Sequence, residues 1–149
     1  MKKFGSFLLV LMMAIGLVGC SGSDSGQNHD AGKESKSEAA DMKAAVILGL
    51  GGLGDQSYND LVYSGLERAK NELGVDFDYA EPKEVTDFET ILRDMSDSGE
   101  YAVIIGIAFD QLDAFTAVTP EYPDQKYAFI DATLLEKNVA SYASKEHEG

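Results

Sequence analysis

Short apolar runs alternating with helical stripes constrain this chain more than any other feature. Residues 44–48, Ala-Ala-Val-Ile-Leu, run into glycines and read as a buried strand. Across 57–73, Tyr58, Val62, Leu66, Ala69 and Leu73 recur at helical spacing, with Gly74 as the expected C-cap. In 75–80, Val75, Phe77 and Tyr79 alternate with Asp76 and Asp78, which predicts a second strand. Thr86 is predicted to cap a second helix. Its Phe88, Ile91, Leu92 and Met95 lie at i, i+3, i+4 and i+7, and Gly99 should end it. A third strand follows at 101–106, then a helix over 110–118 stopped by Pro120 and Pro123. A fourth strand is expected at 126–131 and a fifth at 139–143. This order predicts an α/β fold, a doubly wound parallel sheet with helices on both faces. Ligands on such sheets sit at the carboxyl ends of the strands. The loops 49–58, 106–110 and 131–135 are therefore the places to look. The chain stops at 145–149 without a final covering helix, so the lobe is expected to be incomplete.

The segment before this pattern reads as an address. Lys2 and Lys3 form a positive start, and 7–18 is an unbroken apolar run with Gly. That run is shorter than the roughly 18–20 residues that span a bilayer. Residues 1–20 therefore read as a secretory signal, excluded from the fold. The ending Leu17-Val18-Gly19-Cys20 resembles a bacterial lipobox. The resemblance implies cleavage before Cys20, a diacylglycerol on its sulfur and a lipid-anchored protein on the outer face of the cell membrane. The alternative is an ordinary signal peptide with an incidental cysteine. Residues 21–42 are rich in Ser, Gly, Asp, Glu and Lys, and are expected to form a flexible polar tether in which His29 is solvated.

Charge and rare residues exclude several classes. Twelve basic residues against 26 acidic ones give −14, and losing Lys2 and Lys3 with the leader takes this to −16. Such a surface repels nucleic-acid phosphate and argues against a polybasic grip on lipid. One cysteine, Cys20, permits no internal disulfide. With two histidines beside it, His29 and His147, a structural zinc site lacks ligands, and no metal or cofactor is expected.

Gly49-Leu50-Gly51-Gly52-Leu53-Gly54 matches G-x-G-x-x-G between a strand and a helix. Asp78 and Glu81 lie near the end of the next strand, where a dinucleotide site places its ribose-binding acid. This reading suggests NAD or FAD and an enzyme. Against it, Asp55-Gln56-Ser57 are capping-type residues, so the helix should start too late for the third glycine to lie inside it. An extracytoplasmic address also removes the protein from dinucleotides. The plain alternative is a tight turn.

The stretch GLGGLGDQSYNDLVYSGLERAKNELGV resembles the opening of the basic membrane protein family, also called PnrA-like, whose members are substrate-binding lipoproteins of ABC transporters. Members typically read T-D-x-G-G-x-x-D-x-S-F-N-x-x-x-x-x-G-L. Gly51, Gly52, Asp55, Ser57, Tyr58, Asn59, Gly65 and Leu66 fall in step with that pattern. YAVIIGIAF at 101–109 resembles the family's third strand and G-x-G-F loop. EYPDQKYAFID at 121–131 resembles its E-Y-P-D-x-K-F-x-x-I-D segment, Asn138-Val-Ala-Ser the stretch after it, and Glu148-Gly149 the start of E-G-S-F. The resemblance implies a two-lobed fold of the periplasmic-binding-protein kind, of which 43–149 forms most of the first lobe. It also implies ABC permease and ATPase subunits as partners, and a small ligand, a purine nucleoside first.

A nucleoside needs an aromatic face and a few aimed polar groups. Tyr58 matches the family's base-stacking aromatic, Ser57 a ligand-contacting polar position and Asp131 the cleft aspartate. Phe109 could add an apolar wall and Asn59 a further contact. Each also has a plainer role: Tyr58 and Phe109 in packing, Asn59 as a helix cap, Asp131 holding loop amides. Asp55 reads as a loop-stabilising carboxylate. One departure matters: Gly49 stands where the family has Asp. A sugar or another small metabolite is therefore the competing ligand. No catalytic residues are expected. Ser57 and Tyr58 have no well-placed histidine, although unpaired carboxylates leave a hydrolase open. A purely structural surface lipoprotein would show neither binding nor turnover.

Overall fold

The computed structural model describes residues 42–145. The leader with Cys20, the segment 21–41 with His29, and 146–149 with His147 lie outside the described residues. Lys43–Ile47 forms β1, and its apolar run explains its place near the middle of the sheet. β1 pairs in parallel with β2 (Asp76–Ala80) on one side and β3 (Val103–Gly106) on the other. β4 (Tyr127–Ile130) and β5 (Val139–Tyr142) extend the sheet, again in parallel, in the order β2-β1-β3-β4-β5.

Alternation along β1 divides the core into two layers. Ala45 and Ile47 face Phe88 and Leu92 of α2 (Asp87–Ser98) and Phe115 and Val118 of α3 (Leu112–Val118). Val46 and Leu48 face the opposite layer, where Val62 and Leu66 of α1 (Tyr58–Leu73) cover Ile105 and Ile107. Continuous apolar strands follow from this two-sided burial. β2 is an edge strand and alternates instead. Its Phe77 and Tyr79 meet Tyr63 of α1 edge-on, at 5.7 and 5.3 Å between ring centroids. On its other face, Asp78 takes Lys43 Nζ at 2.7 Å and the Tyr101 hydroxyl at 2.8 Å. These two partners hold the Asp78 carboxyl below its ordinary range.

Helix ends follow the sequence in part. Gly74 and Gly99 both take the left-handed conformation that stops α1 and α2. Thr86 occupies the position before α2 but makes no capping hydrogen bond with its side chain. Asp87, the first helical residue, instead fastens the preceding turn, its carboxylate accepting from the Lys83 and Glu84 N–H groups at 2.8 and 3.1 Å. The helix expected over 110–118 is divided. A 3-10 turn, Phe109–Gln111, precedes α3, and a second, Thr119–Glu121, follows it. The α-helix ends at Val118 as expected, just before Thr119 and Pro120, although Pro120 itself is taken up in the second turn. It lies at the start of that turn, where its missing N–H costs no hydrogen bond. Among the described residues, no helix is long and apolar enough to cross a membrane, and no group of His, Cys, Asp and Glu is placed to hold a metal.

Candidate functional site

The parallel sheet brings the loops after β1, β3 and β4 to one edge. The β1 loop is fastened mainly by side chains of α1, with Asp55 of the loop itself and Glu81 after β2. Gly49 N–H donates to Asn59 Oδ1 at 2.8 Å, and Asn59 Nδ2 returns to the Gly49 carbonyl at 3.5 Å. Gly51, Gly52 and Gly54 have φ of 106°, 65° and 94°, a region that favours glycine. At Gly52 a second restriction applies, since a Cβ there would lie 2.1 Å from Glu81 Oε2. That oxygen accepts from the Leu53 N–H at 3.3 Å. Asp60 accepts from Gly54 and Gln56, both at 2.8 Å.

Asp55 holds the start of α1 from two residues before its N-cap, Ser57, whose own side chain makes no capping bond. Asp55 Oδ1 accepts from the N–H groups of Ser57 and Asp60 at 2.8 and 3.2 Å, and its Oδ2 from Asn59 at 3.0 Å. These bonds, Asn59 first, hold its carboxyl below the ordinary range. The expected loop-stabilising role is what the structure has. The same geometry removes the basis of the dinucleotide reading. A pyrophosphate needs free N–H groups at the helix start. Here three carboxylates, Asp55, Asp60 and Glu81, already take them. Asp78 is paired with Lys43 and Tyr101, so neither acid is left for a ribose.

Beside this loop lies an open hollow of about 380 Å³, bounded by Gly49, Leu50, Tyr58 and the turn from Ala108 to Asp110. It is within the size range of small-molecule sites. A hollow of about 400 Å³ also lies among Ser96, Gly99 and residues 121–125, but these precede β3 and β4. Ligands on parallel sheets favour the carboxyl ends, so the first is the candidate.

Three of the five expected site residues, Tyr58, Asn59 and Phe109, line this hollow. Tyr58 is 39% exposed and Phe109 63%, both large for aromatic side chains. Asn59 is buried, and its amide is closed on Gly49 rather than turned to the hollow. Ser57 is exposed next to Tyr58 and is not part of the lining. Asp131 is not part of it either, but it lies close to Tyr58. Partial burial, with the Asp131 charge as second cause, raises the Tyr58 hydroxyl above its ordinary pKa. Asp131 itself has φ of 75°, uncommon for a residue with a side chain, and its N–H donates to the Tyr142 carbonyl at 2.7 Å.

Two residues of the turn after β3 escaped the sequence reading. Asp110 lines the hollow opposite Tyr58's loop. Gln111 is fully buried beneath it. Gln111 Oε1 accepts from Ile107 N–H, and its Nε2 donates to the carbonyls of Ile47 and Leu48, all at 3.0 Å. It ties the ends of β1 and β3 together under the site. The signal was present: Gln111, Ala114, Phe115 and Val118 are spaced i, i+3, i+4 and i+7, and all four are buried. A polar residue opening an apolar stripe marks a buried bond-maker.

A parallel sheet with aromatic and acidic side chains around a hollow at its carboxyl edge is an arrangement that can hold a small ligand. The chain belongs to the ABC transporter substrate-binding protein PnrA-like family, whose model matches residues 42–149. This is a family of transporter substrate-binding proteins, not an enzyme class. Among solved structures, an ABC transporter system solute-binding protein from Aeropyrum pernix K1 is similar with a TM-score of 0.68 and 41% identity, over 72% of this chain and 30% of that one. One from Conexibacter woesei shares the fold, with a TM-score of 0.58 at 22% identity, over 68% of this chain and 35% of that one. An uncharacterized lipoprotein of Pyrococcus abyssi is 38% identical over 99% of this chain and 36% of its own length. The ABC transporter nucleoside-binding protein BmpA of Lactococcus lactis is 28% identical over 89% of this chain and 37% of its own. The chain thus spans little more than a third of the length of these curated relatives.

Proposed function

We propose that this protein is the lipid-anchored, extracytoplasmic receptor of an ABC transporter and captures a nucleoside, purine type first, for uptake. The observation that carries the reading is the pairing of exposed Tyr58 and Phe109 around one hollow, with Asp131 close to Tyr58. An aromatic face takes the flat base, and carboxylates accept hydrogen bonds from ribose hydroxyls or base N–H groups. Ser57 and Asn59 flank the stacking face, Asn59 by fixing Gly49 in place. The L. lactis relative's name, nucleoside-binding protein, supports the ligand class. The relatives named lipoproteins support the address, and in this reading Cys20 is the acylated N-terminus, 21–42 the tether and 43–149 the first lobe. A second lobe would close over the ligand, and permease and ATPase subunits would receive it.

Gly49 favours a second reading, a sugar or another small metabolite. The carboxylate that the family typically carries there is absent, and a Cβ at that position would already lie 3.3 Å from Ala108 Cβ. The test is calorimetric titration of the complete gene product, without residues 1–20, with adenosine, guanosine, inosine, uridine and ribose. Micromolar or tighter nucleoside binding is expected. Tyr58→Ala should weaken it by roughly tenfold or more, the size of one lost stacking contact. Heat with ribose alone would move the assignment to sugars, and no heat with any nucleoside would overturn it.

A further inference from the structure

The two acids that line the hollow are not equivalent. Asp55 has both oxygens engaged by backbone N–H groups of its own loop. The amide of Asn59 is likewise closed on Gly49. Asp110, on the wall formed by the β3 loop, differs from both. Its Oδ1 is shut off from solvent and meets no donor among the described residues. A buried carboxylate oxygen without a donor is a costly thing for a fold to keep, and such exceptions call for a reason. The costs that folds do keep concentrate where a ligand will relieve them.

The surroundings narrow what that ligand carries. Gly49 on the facing side offers no side chain, and Tyr58 and Phe109 offer aromatic faces. Asp110 is therefore the one acid of the lining with an unengaged oxygen. Rotation about its last bond only exchanges the two oxygens and leaves one shut off. Rotation about Cα–Cβ can instead swing the whole carboxylate toward the open side, where an entering donor meets it. Asp131 near Tyr58, together with Asp55 and Asp60 in the adjoining loop, makes the whole edge negative, which opposes phosphate.

We propose that Asp110 is the specificity-determining acceptor of this cleft, selecting uncharged ligands rich in hydroxyl or N–H donors and rejecting their phosphorylated forms. The choice of a nucleoside as that ligand rests on the function proposed above, whereas the role of Asp110 does not. It would stand in for the carboxylate missing at Gly49, reaching the same hollow from a different strand.

The test uses the complete gene product without residues 1–20, as parent, Asp110→Asn, Asp110→Ala and, as a charge control, Asp94→Asn on the exposed side of α2. Each is titrated with adenosine and with adenosine 5′-monophosphate, and each is melted without ligand. Both Asp110 variants should bind adenosine about tenfold or more weakly, as for loss of a hydrogen bond to a charged group. Asp110→Asn should also narrow the preference for adenosine over its monophosphate, while Asp94→Asn changes neither. Without ligand, the Asp110 variants should melt no lower than the parent. Adenosine affinity within about twofold of the parent in both variants overturns the proposal and leaves the nucleoside reading standing. A lower Tm in both marks Asp110 as structural and also overturns it. If the parent binds no nucleoside, the nucleoside reading fails, and the melting comparison alone decides for or against Asp110.

Discussion

Gln111 lies wholly out of solvent, with one backbone N–H and two backbone carbonyls as its partners. None of those three backbone groups has water as a substitute. A hydrocarbon side chain at 111 would strand all of them, and each stranded group costs roughly 1–3 kcal/mol. Gln111→Ala is therefore expected to lose about 3 kcal/mol of stability in urea unfolding, with part of the strain relieved by relaxation. A loss below about 1 kcal/mol would mean the two strand ends do not depend on it. Sequence periodicity places Gln111 on the buried face but says nothing of its partners, because these come from two other strands. The same limit applies to Asp110. It reads as one more acid opening a helix, and only the fold puts it opposite Tyr58. Gly106, by contrast, reads as a strand end. In the structure a Cβ there would lie 2.6 Å from the Phe115 ring, so the close packing of α3 on β3 is what requires glycine.

At the level of elements, α1 was legible nearly to the residue, because its apolar stripe and Gly74 agree. Its start was legible too, since capping residues after Gly54 delayed it to Tyr58. The third helix was less so. Its division into 3-10 and α-helical turns is set by contacts at both ends, not by propensity. Asp55 makes the start of α1 testable through pH. Its carboxyl is held below the ordinary value in the folded chain, by the N–H of Asn59 first. A lowered folded pKa stabilises most above the unfolded value, about 4, and that contribution is lost as pH falls through the folded value. Asp55→Asn should therefore lower the Tm at neutral pH. The gap to the parent should persist down to about pH 4 and then close, because protonation weakens the same acceptor in the parent. A gap that stays constant down to strongly acidic pH would show that Asp55 supports the loop through shape alone.

For the whole molecule, the parallel sheet was legible from alternation, but the strand order β2-β1-β3-β4-β5 was not, since no strand names its neighbour. The charge was legible from composition, and it decides how such a protein can stay at a membrane. With 26 acidic residues against 12 basic ones, the chain has no electrostatic hold on anionic lipid. No described helix is long and apolar enough to cross a bilayer. On the function proposed above, a receptor that meets membrane subunits would be held there by a covalent anchor. One acyl chain binds only marginally, whereas two or more, at about 0.8 kcal/mol per buried methylene, hold firmly. Cys20, following Leu17-Val18-Gly19, is the residue that the lipobox resemblance proposes for it. In a bacterial host fed labelled palmitate, the parent should take up label and Cys20→Ser should not. Equal labelling of the two would place the lipid elsewhere, and labelling of neither would return Cys20 to the role of an incidental cysteine behind an ordinary signal peptide.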